Sequence, residues 1–182
     1  MRITVIGRGN VGGGLAKLWR GAGHDVTEIG KDGGDASGAD VVLVAVPSAA
    51  ITDALGQVEG LHGKIAIDAT NHFQGERPPF DSLAHQVKSI VGGPVSKAFN
   101  LNFAVLYDEI GKQPLKPCNI YCGDDEAREV TEQLIRDAGY EPVSAGGLEN
   151  ARTQEESLAL LIAISGGGGG QPFYRLWRPG EL

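Results

Sequence analysis

The chain opens on a short β-branched run, Arg2-Ile3-Thr4-Val5-Ile6, closed by Gly7. An apolar run with little alternation predicts a buried strand. From Asn10 to Ala22 the period changes. Val11, Leu15, Leu18 and Trp19 recur at helical spacing, and Gly23 follows as a stop. Val26 to Ile29 reads as a second strand, and Val41 to Val46 as a third, apolar throughout and so covered on both faces. Pro47 ends that run, and Ser48 is placed to cap a helix from Ala49 to Val58. Lys64 to Asp68 predicts a strand that runs into Ala69-Thr70-Asn71. A turn-forming stretch follows, Gln74-Gly75-Glu76-Arg77-Pro78-Pro79. Asp81 or Ser82 starts a helix to about Ile90. Pro94 to Phe99 and Asn119 to Cys122 are strands. Asp124 and Asp125 lead a helix to about Ala138, their charge matched to its N-terminal dipole. Tyr140 to Ser144 is the last strand and Glu149 to Ile164 the last helix.

Strands and helices alternate throughout, which means βαβ units and a mainly parallel sheet. One connection is unusual. Only eleven residues separate Ile29 from Val41, four of them glycines, and a crossover helix does not fit there. The sequence therefore predicts a loop or single turn, with strands 25–29 and 41–46 flanking the first strand on opposite sides.

Gly7-Arg8-Gly9-Asn10-Val11-Gly12 matches G-x-G-x-x-G between a strand and a helix, the context that gives the motif its meaning. Gly7 allows the tight turn, Gly9 lets the backbone approach a pyrophosphate, and Gly12 lets helix and strand pack closely. The helix N-terminus then offers free N–H groups to phosphate. The fold class expected is α/β, a Rossmann-type doubly wound, mainly parallel sheet with a small C-terminal helical extension. Residues 1–165 read as one dinucleotide-binding domain and 166–182 as a Gly-rich tail. At the tip of the second strand an NAD site usually carries Asp or Glu for the ribose hydroxyls. Here Gly30 and Lys31 stand there, which suits the 2′-phosphate of NADP; Glu28 or Asp32 would instead serve NAD. Val46-Pro47-Ser48, Asp68-Ala69-Thr70-Asn71 and Lys97-Ala98-Phe99-Asn100 end three strands on the same rim, where open α/β sheets bind ligands. They are expected around the nicotinamide end. Asn71 and Asn100 could equally hold loop backbone, and Lys97 could be a surface residue.

Composition narrows the picture. The 182 residues carry a net charge of −7, which argues against nucleic acid as the main partner, since a basic face is needed to displace counterions. No signal peptide is expected, and the longest apolar run, Leu158 to Ile164, is too short to cross a bilayer. A cytoplasmic protein without a membrane partner follows. Cys118 and Cys122 lie too far apart along one strand for an easy bridge and read as half-buried thiols. No metal set is expected. The run 158–164 is apolar around the whole helix, so it predicts burial on all sides, completed by a symmetric partner in a homodimer.

A series of segments carries a family resemblance: Gly7 to Leu15, Val44-Ala45-Val46-Pro47, Ile67-Asp68-Ala69-Thr70-Asn71, Lys97-Ala98-Phe99-Asn100, Tyr121-Cys122-Gly123-Asp124-Asp125, and Gly146-Gly147-Leu148-Glu149-Asn150-Ala151-Arg152. In this order they resemble the coenzyme F-420-dependent NADP oxidoreductase family over about residues 1–165. The resemblance implies NADP on the glycine loop, a deazaflavin or flavin near its nicotinamide, and hydride passing between them. The chain departs from the family in its shortened loop after the second strand, where the usual basic pair appears as Lys31-Asp32. It departs also in the loop 72–80 and in the five successive glycines Gly166 to Gly170.

Hydride transfer between two stacked rings asks the protein for orientation and a dry site rather than a nucleophile–base pair. No catalytic residue is assigned. His24 reads as capping the turn into the second strand, and His62 and His85 as solvated. His72 alone lies near the expected cofactor rim. Three classes stay open: an NADP-dependent hydride-transfer enzyme with a deazaflavin or flavin partner, a reductase of a small carbonyl or imine, and a dinucleotide-binding protein without turnover. The Gly166–Tyr174 tail could close over a second ring or be a loose connector.

Overall fold

The computed structural model describes residues 1–73, 78–176 and 179–180. The turn-forming segment 74–77 and parts of the tail expected from the sequence lie outside the described residues. Seven strands form one sheet: β1 (Arg2–Ile6), β2 (Asp25–Ile29), β3 (Val41–Val44), β4 (Ile65–Asp68), β5 (Val95–Lys97), β6 (Cys118–Gly123) and β7 (Glu141–Ser144). Their spatial order is β2-β1-β3-β4-β5-β6-β7. The α-helices are α1 (Asn10–Gly21), α2 (Ile51–Gly56), α3 (Leu83–Val91), α4 (Asp125–Asp137) and α5 (Ala151–Ile164). This is the α/β, Rossmann-like, mostly parallel sheet that the alternating pattern predicts.

β2 and β3 flank β1 on opposite sides, both parallel to it. No helix fits between them. The connection instead contributes the short strand Gly34–Asp35, which pairs with Val58–Glu59 after α2. β1 to β5 are parallel, while β6 runs antiparallel to β5 and β7 follows β6. The reversal has a consequence for the Gly123-Asp124-Asp125 segment. Gly123 pairs with Ser96, and Asp124 N donates to the O of Val95 at the start of β5, so α4 begins at the edge opposite the glycine loop. Asp124 is structural there: its carboxylate accepts from Val95 N at 2.8 Å and from Lys88 Nζ at 2.7 Å.

Period-2 alternation in β1 and β3 feeds two cores, one on each face of the sheet. Ile3, Val5 and Leu43 meet α1 and α4 through Leu15, Trp19 and Leu134. Ile6, Val42 and Val44 meet α2 and α3 through Ile51, Leu55, Leu83 and Val87. Trp19 is fully buried; its indole N–H donates to Leu134 O at 2.9 Å, and its ring meets Phe99 edge-on at 5.7 Å.

Several expectations need correction. Ser48 makes no capping bond; it begins a 3₁₀ turn (Ser48–Ala50) ahead of α2. Ser82 does cap α3, accepting from His85 N, and its hydroxyl meets the His85 ring at 2.8 Å, so His85 is half-buried rather than solvated. His24 reaches away from the turn into β2 to Asp137 Oδ2 at 2.8 Å. Both cysteines are free and fully buried, because β6 is an interior strand of the seven. A long 3₁₀ segment, Ala104–Lys112, was not anticipated; it seats Tyr107 and Ile110 against the α1 side of the core. Within the single chain the C-terminal half of α5 is left partly uncovered, Leu160 65% exposed and Ile164 49%, which leaves the expectation of a covering partner open. Among the described residues no helix is long and apolar enough to cross a membrane.

Candidate functional site

The glycine loop is built as its chemistry requires. Gly7 has φ of +109°, and a Cβ there would overlap the Ala45 carbonyl, so only glycine turns the chain this tightly beside β3. Its N–H donates to Ile29 O at 3.0 Å, fixing the loop against the end of β2. A Cβ on Gly12 would overlap the Gly7 carbonyl oxygen and press Val5 Cγ1 at 3.0 Å, which is the close helix–strand approach the motif implies. Gly9 is the N-cap of α1 and faces open space. The first-turn N–H groups of α1 have no helical acceptors and point out beside it.

These elements wall a cleft of about 460 Å³ at the C-terminal edge of the parallel strands. Gly9, Asn10 and Val11 form one side, Ala45, Val46, Pro47, Ser48 and Ala49 the second, and Ala69, Thr70, Asn71 and Phe73 the third. Nine of the residues singled out from sequence therefore meet around one space. Gly7 and Gly12 shape the wall from behind. Arg8, Gly30 and Lys31 lie at the tip of β2; Arg8 and Lys31 are exposed.

Asn100 lines a second recess of about 180 Å³ that shares Val11, Ala69, Asn71 and Phe73 with the first cleft. Its remaining wall is Phe99 to Ala104 with Leu158 and Ile162 of α5. Asn71 and Asn100 lock together here. Asn71 Nδ2 donates to Asn100 O at 2.7 Å, and Asn100 Nδ2 to Asn71 Oδ1 at 3.0 Å. Phe99 is fully buried with φ of +63°, a strained conformation for a bulky residue, which turns the chain so that Asn100 faces this pair.

Lys97 is neither a surface residue nor part of the cleft lining. Its ammonium is fully buried, 2.6 Å from Asp68 Oδ2 and 3.0 Å from Glu155 Oε1, and it donates to Thr70 O at 2.8 Å. Lys97 and Asp68 are register partners on adjacent strands. The cluster thus fixes the backbone of the Asp68–Asn71 rim from beneath. Gln154 adds to it, donating to Asn100 Oδ1 at 2.8 Å and to Ile120 O at 3.0 Å. Neither Gln154 nor Glu155 was singled out from sequence. The available signal was an adjacent polar pair early in a helix whose second half is apolar.

The remaining candidates separate from the site. His72 lines a small recess of about 10 Å³ with Pro78, Phe80, Ser82 and Arg152, not the main cleft. The tail does not line either cleft among its described residues; Tyr174 O accepts from Cys118 N at 2.9 Å and the Tyr174 hydroxyl reaches Asn102 Oδ1 at 3.2 Å. The tail is thus anchored along β6 at Tyr174. Burial pushes the Cys122 thiol up to about 12 and raises the Tyr107 and Tyr140 phenols. All three stay neutral near pH 7 and supply no thiolate or phenolate. No group of residues suited to a metal ion occurs among the described residues.

No protein-family model matches the sequence, and no curated protein matches it significantly. Solved structures do. A protein from Arthrobacter sp. FB24, provisionally assigned as an F420-dependent NADP-reductase, superposes with a TM-score of 0.82 at 25% identity, covering 97% of this chain and 99% of that one. The chain resembles the F420-dependent NADP reductases over nearly its whole length. A hypothetical protein from Sinorhizobium meliloti, SMa0349, matches with a TM-score of 0.67 at 25% identity, over 97% of this chain and 94% of that one. The reductive aminase of Aspergillus terreus, solved with NADPH and ethyl levulinate, shares the fold (TM-score 0.66, 16% identity) over 91% of this chain but only 61% of its own. The aminase carries NADPH in that structure, and this chain spans under two thirds of its length.

Proposed function

We propose that the chain is an NADP(H)-dependent oxidoreductase that passes hydride between NADPH and a deazaflavin (coenzyme F-420) or flavin-like acceptor. The observation that carries this is the pair of adjoining spaces at one sheet edge, joined through Val11, Ala69, Asn71 and Phe73. The glycine cradle fits a dinucleotide: side chains are excluded at Gly7 and Gly12, and the space beside Gly9 is open. Gly9, Asn10 and Val11 would hold the pyrophosphate, and Pro47, Thr70 and Asn71 the nicotinamide end. The Thr70 hydroxyl oxygen, buried in that wall, has no hydrogen-bond partner among the described residues. When bound, the nicotinamide supplies the hydride. The chain's own work is to fix the rim through Lys97 and Asp68, to hold Asn71 and Asn100 in one orientation, and to exclude water with Phe73, Phe99 and Leu158.

Mixing the protein with 4-deuterated NADPH and oxidised F-420 tests this directly. Stereospecific appearance of deuterium on the deazaflavin is expected. No transfer to F-420, FMN or FAD by a protein that binds NADPH would defeat it. One observation favours a second reading, reduction of a small carbonyl or imine. The second recess, at about 180 Å³, is below the usual size of a pocket for a drug-sized ligand. A panel of small carbonyls and imines with NADPH separates the two, and a protein that binds NADPH yet turns over nothing would be a dinucleotide-binding protein alone. We also propose a homodimer, with Leu160, Ile162 and Ile164, each about half exposed or more, covered by a second copy.

A further inference from the structure

The tip of β2 is where a dinucleotide fold reads the adenosine ribose, and here a residue from a different element occupies it. A Cβ built on Gly30 would collide with the Arg8 guanidinium, whose Nε lies 2.5 Å from that position. The Arg8 side chain therefore leaves the glycine loop, crosses to β2 and lies flat over the bare backbone of Gly30. Any other residue at position 30 would displace it. Gly7 N–H bonded to Ile29 O holds the two segments side by side.

The surroundings favour an anion at this spot. Arg8 is exposed, and among the described residues its guanidinium makes no ion pair and no hydrogen bond. The carboxylate that could serve ribose hydroxyls, Glu28, is held by Arg20 Nη1 at 2.7 Å. Gly30 itself stands where an NAD site would place its acid.

We infer that Arg8, seated on Gly30, reads the 2′-phosphate and sets the preference for NADPH over NADH. This rests on the proposed dinucleotide site and extends it to a selectivity residue. A planar guanidinium matches a phosphate with paired donors, whereas Lys31 on the neighbouring loop offers a point charge from an exposed position. Arg8 is thus the main reader and Lys31 an auxiliary one.

The test is equilibrium binding of NADPH and NADH, followed by nicotinamide fluorescence, for the parent protein and for Arg8→Ala, Gly30→Ala and Lys31→Ala. Arg8→Ala should weaken NADPH by about ten-fold or more, the usual worth of a charge-assisted contact, and leave NADH within about two-fold. Gly30→Ala should do the same by unseating Arg8 while the arginine is still present. Lys31→Ala should have the smaller effect. Equal losses for both nucleotides in Arg8→Ala, or no loss for either, would overturn the assignment while leaving the dinucleotide site standing. A parent protein that binds neither nucleotide would instead overturn the site itself.

Discussion

Two of the three walls of the main cleft are made by opposite means. The glycine-loop wall is shaped by backbone: Gly7, Gly9 and Gly12 remove side chains, and open space faces the cleft beside Gly9. The wall of Ala69, Thr70 and Asn71 is set by side chains behind it, an ammonium between two carboxylates sealed from water, and the interlocked amides of Asn71 and Asn100. The first wall needs little stabilisation because glycine backbone only has to be unobstructed. The second must hold a strained residue, Phe99, and a rim that would otherwise be mobile, and buried polar groups do so only when their partners are complete. The walls should therefore fail differently, one through binding and the other through folding.

Lys97→Met is the severest way to break the second wall. It leaves the buried Asp68 carboxylate without the Lys97 ammonium, and removing one member of a buried pair costs about 3–5 kcal/mol. Urea melts should show that loss, or no folded protein. Lys97→Met with Asp68→Leu should recover part of it, because the uncompensated charge goes too. A melt unchanged by Lys97→Met would show that the cluster does not hold the rim.

Gly9→Val is the counterpart in the first wall. The added side chain meets open space, so the melting temperature should stay put while NADPH binding is lost. Gly12→Val should lose both, since its Cβ collides with the Gly7 carbonyl. Retained NADPH affinity in a folded Gly9→Val protein would remove the loop from the site.

The two walls were also unequally legible. The glycine motif encodes its geometry locally: strand, turn and helix follow one another, and the residues that meet are neighbours in sequence. The strand order around β1 could be read too, because a short linker leaves few topologies. The second wall joins Asp68, Lys97, Asn119 and Glu155 from four separate elements, and no spacing rule links them. Lys97 read as a rim residue or a surface one because lysine is rarely fully buried unless paired, and its partners could not be identified from a pattern. The reversed strand β6 was equally hidden. Nothing local in Cys118–Gly123 sets its direction, which comes from the long excursion through the 3₁₀ segment Ala104–Lys112.

α5 bridges the walls and tests their separation at lower cost. Its first half carries Gln154 and Glu155 into the rim, and its second half is apolar and half-exposed. Ile162→Glu should leave stability within about 0.5 kcal/mol, as surface changes do, yet convert a dimer to monomer in light scattering. A parent protein that is monomeric at micromolar concentration would leave Ile162 with its role in the second recess alone.

The smallest effect should lie in alkaline solution and belongs to the buried strand behind the rim. Cys122 is pushed up to about 12 from an ordinary 9.0, chiefly by burial and against the pull of the Lys97 charge. The folded state therefore keeps its proton where the unfolded chain loses it. Its contribution to stability is complete below pH 9 and declines as pH rises toward about 12. Tyr107 and Tyr140 are raised in the same sense from 10.0, so their share begins to fall later. Chemical melts of the parent and Cys122→Ala should run parallel to about pH 9. Above that the parent should lose stability faster, and native Cys122 should resist iodoacetamide at pH 8. Parallel melts through pH 10, together with rapid alkylation of Cys122 in the folded protein, would show that this thiol is not shielded and that water reaches the strand beside Lys97.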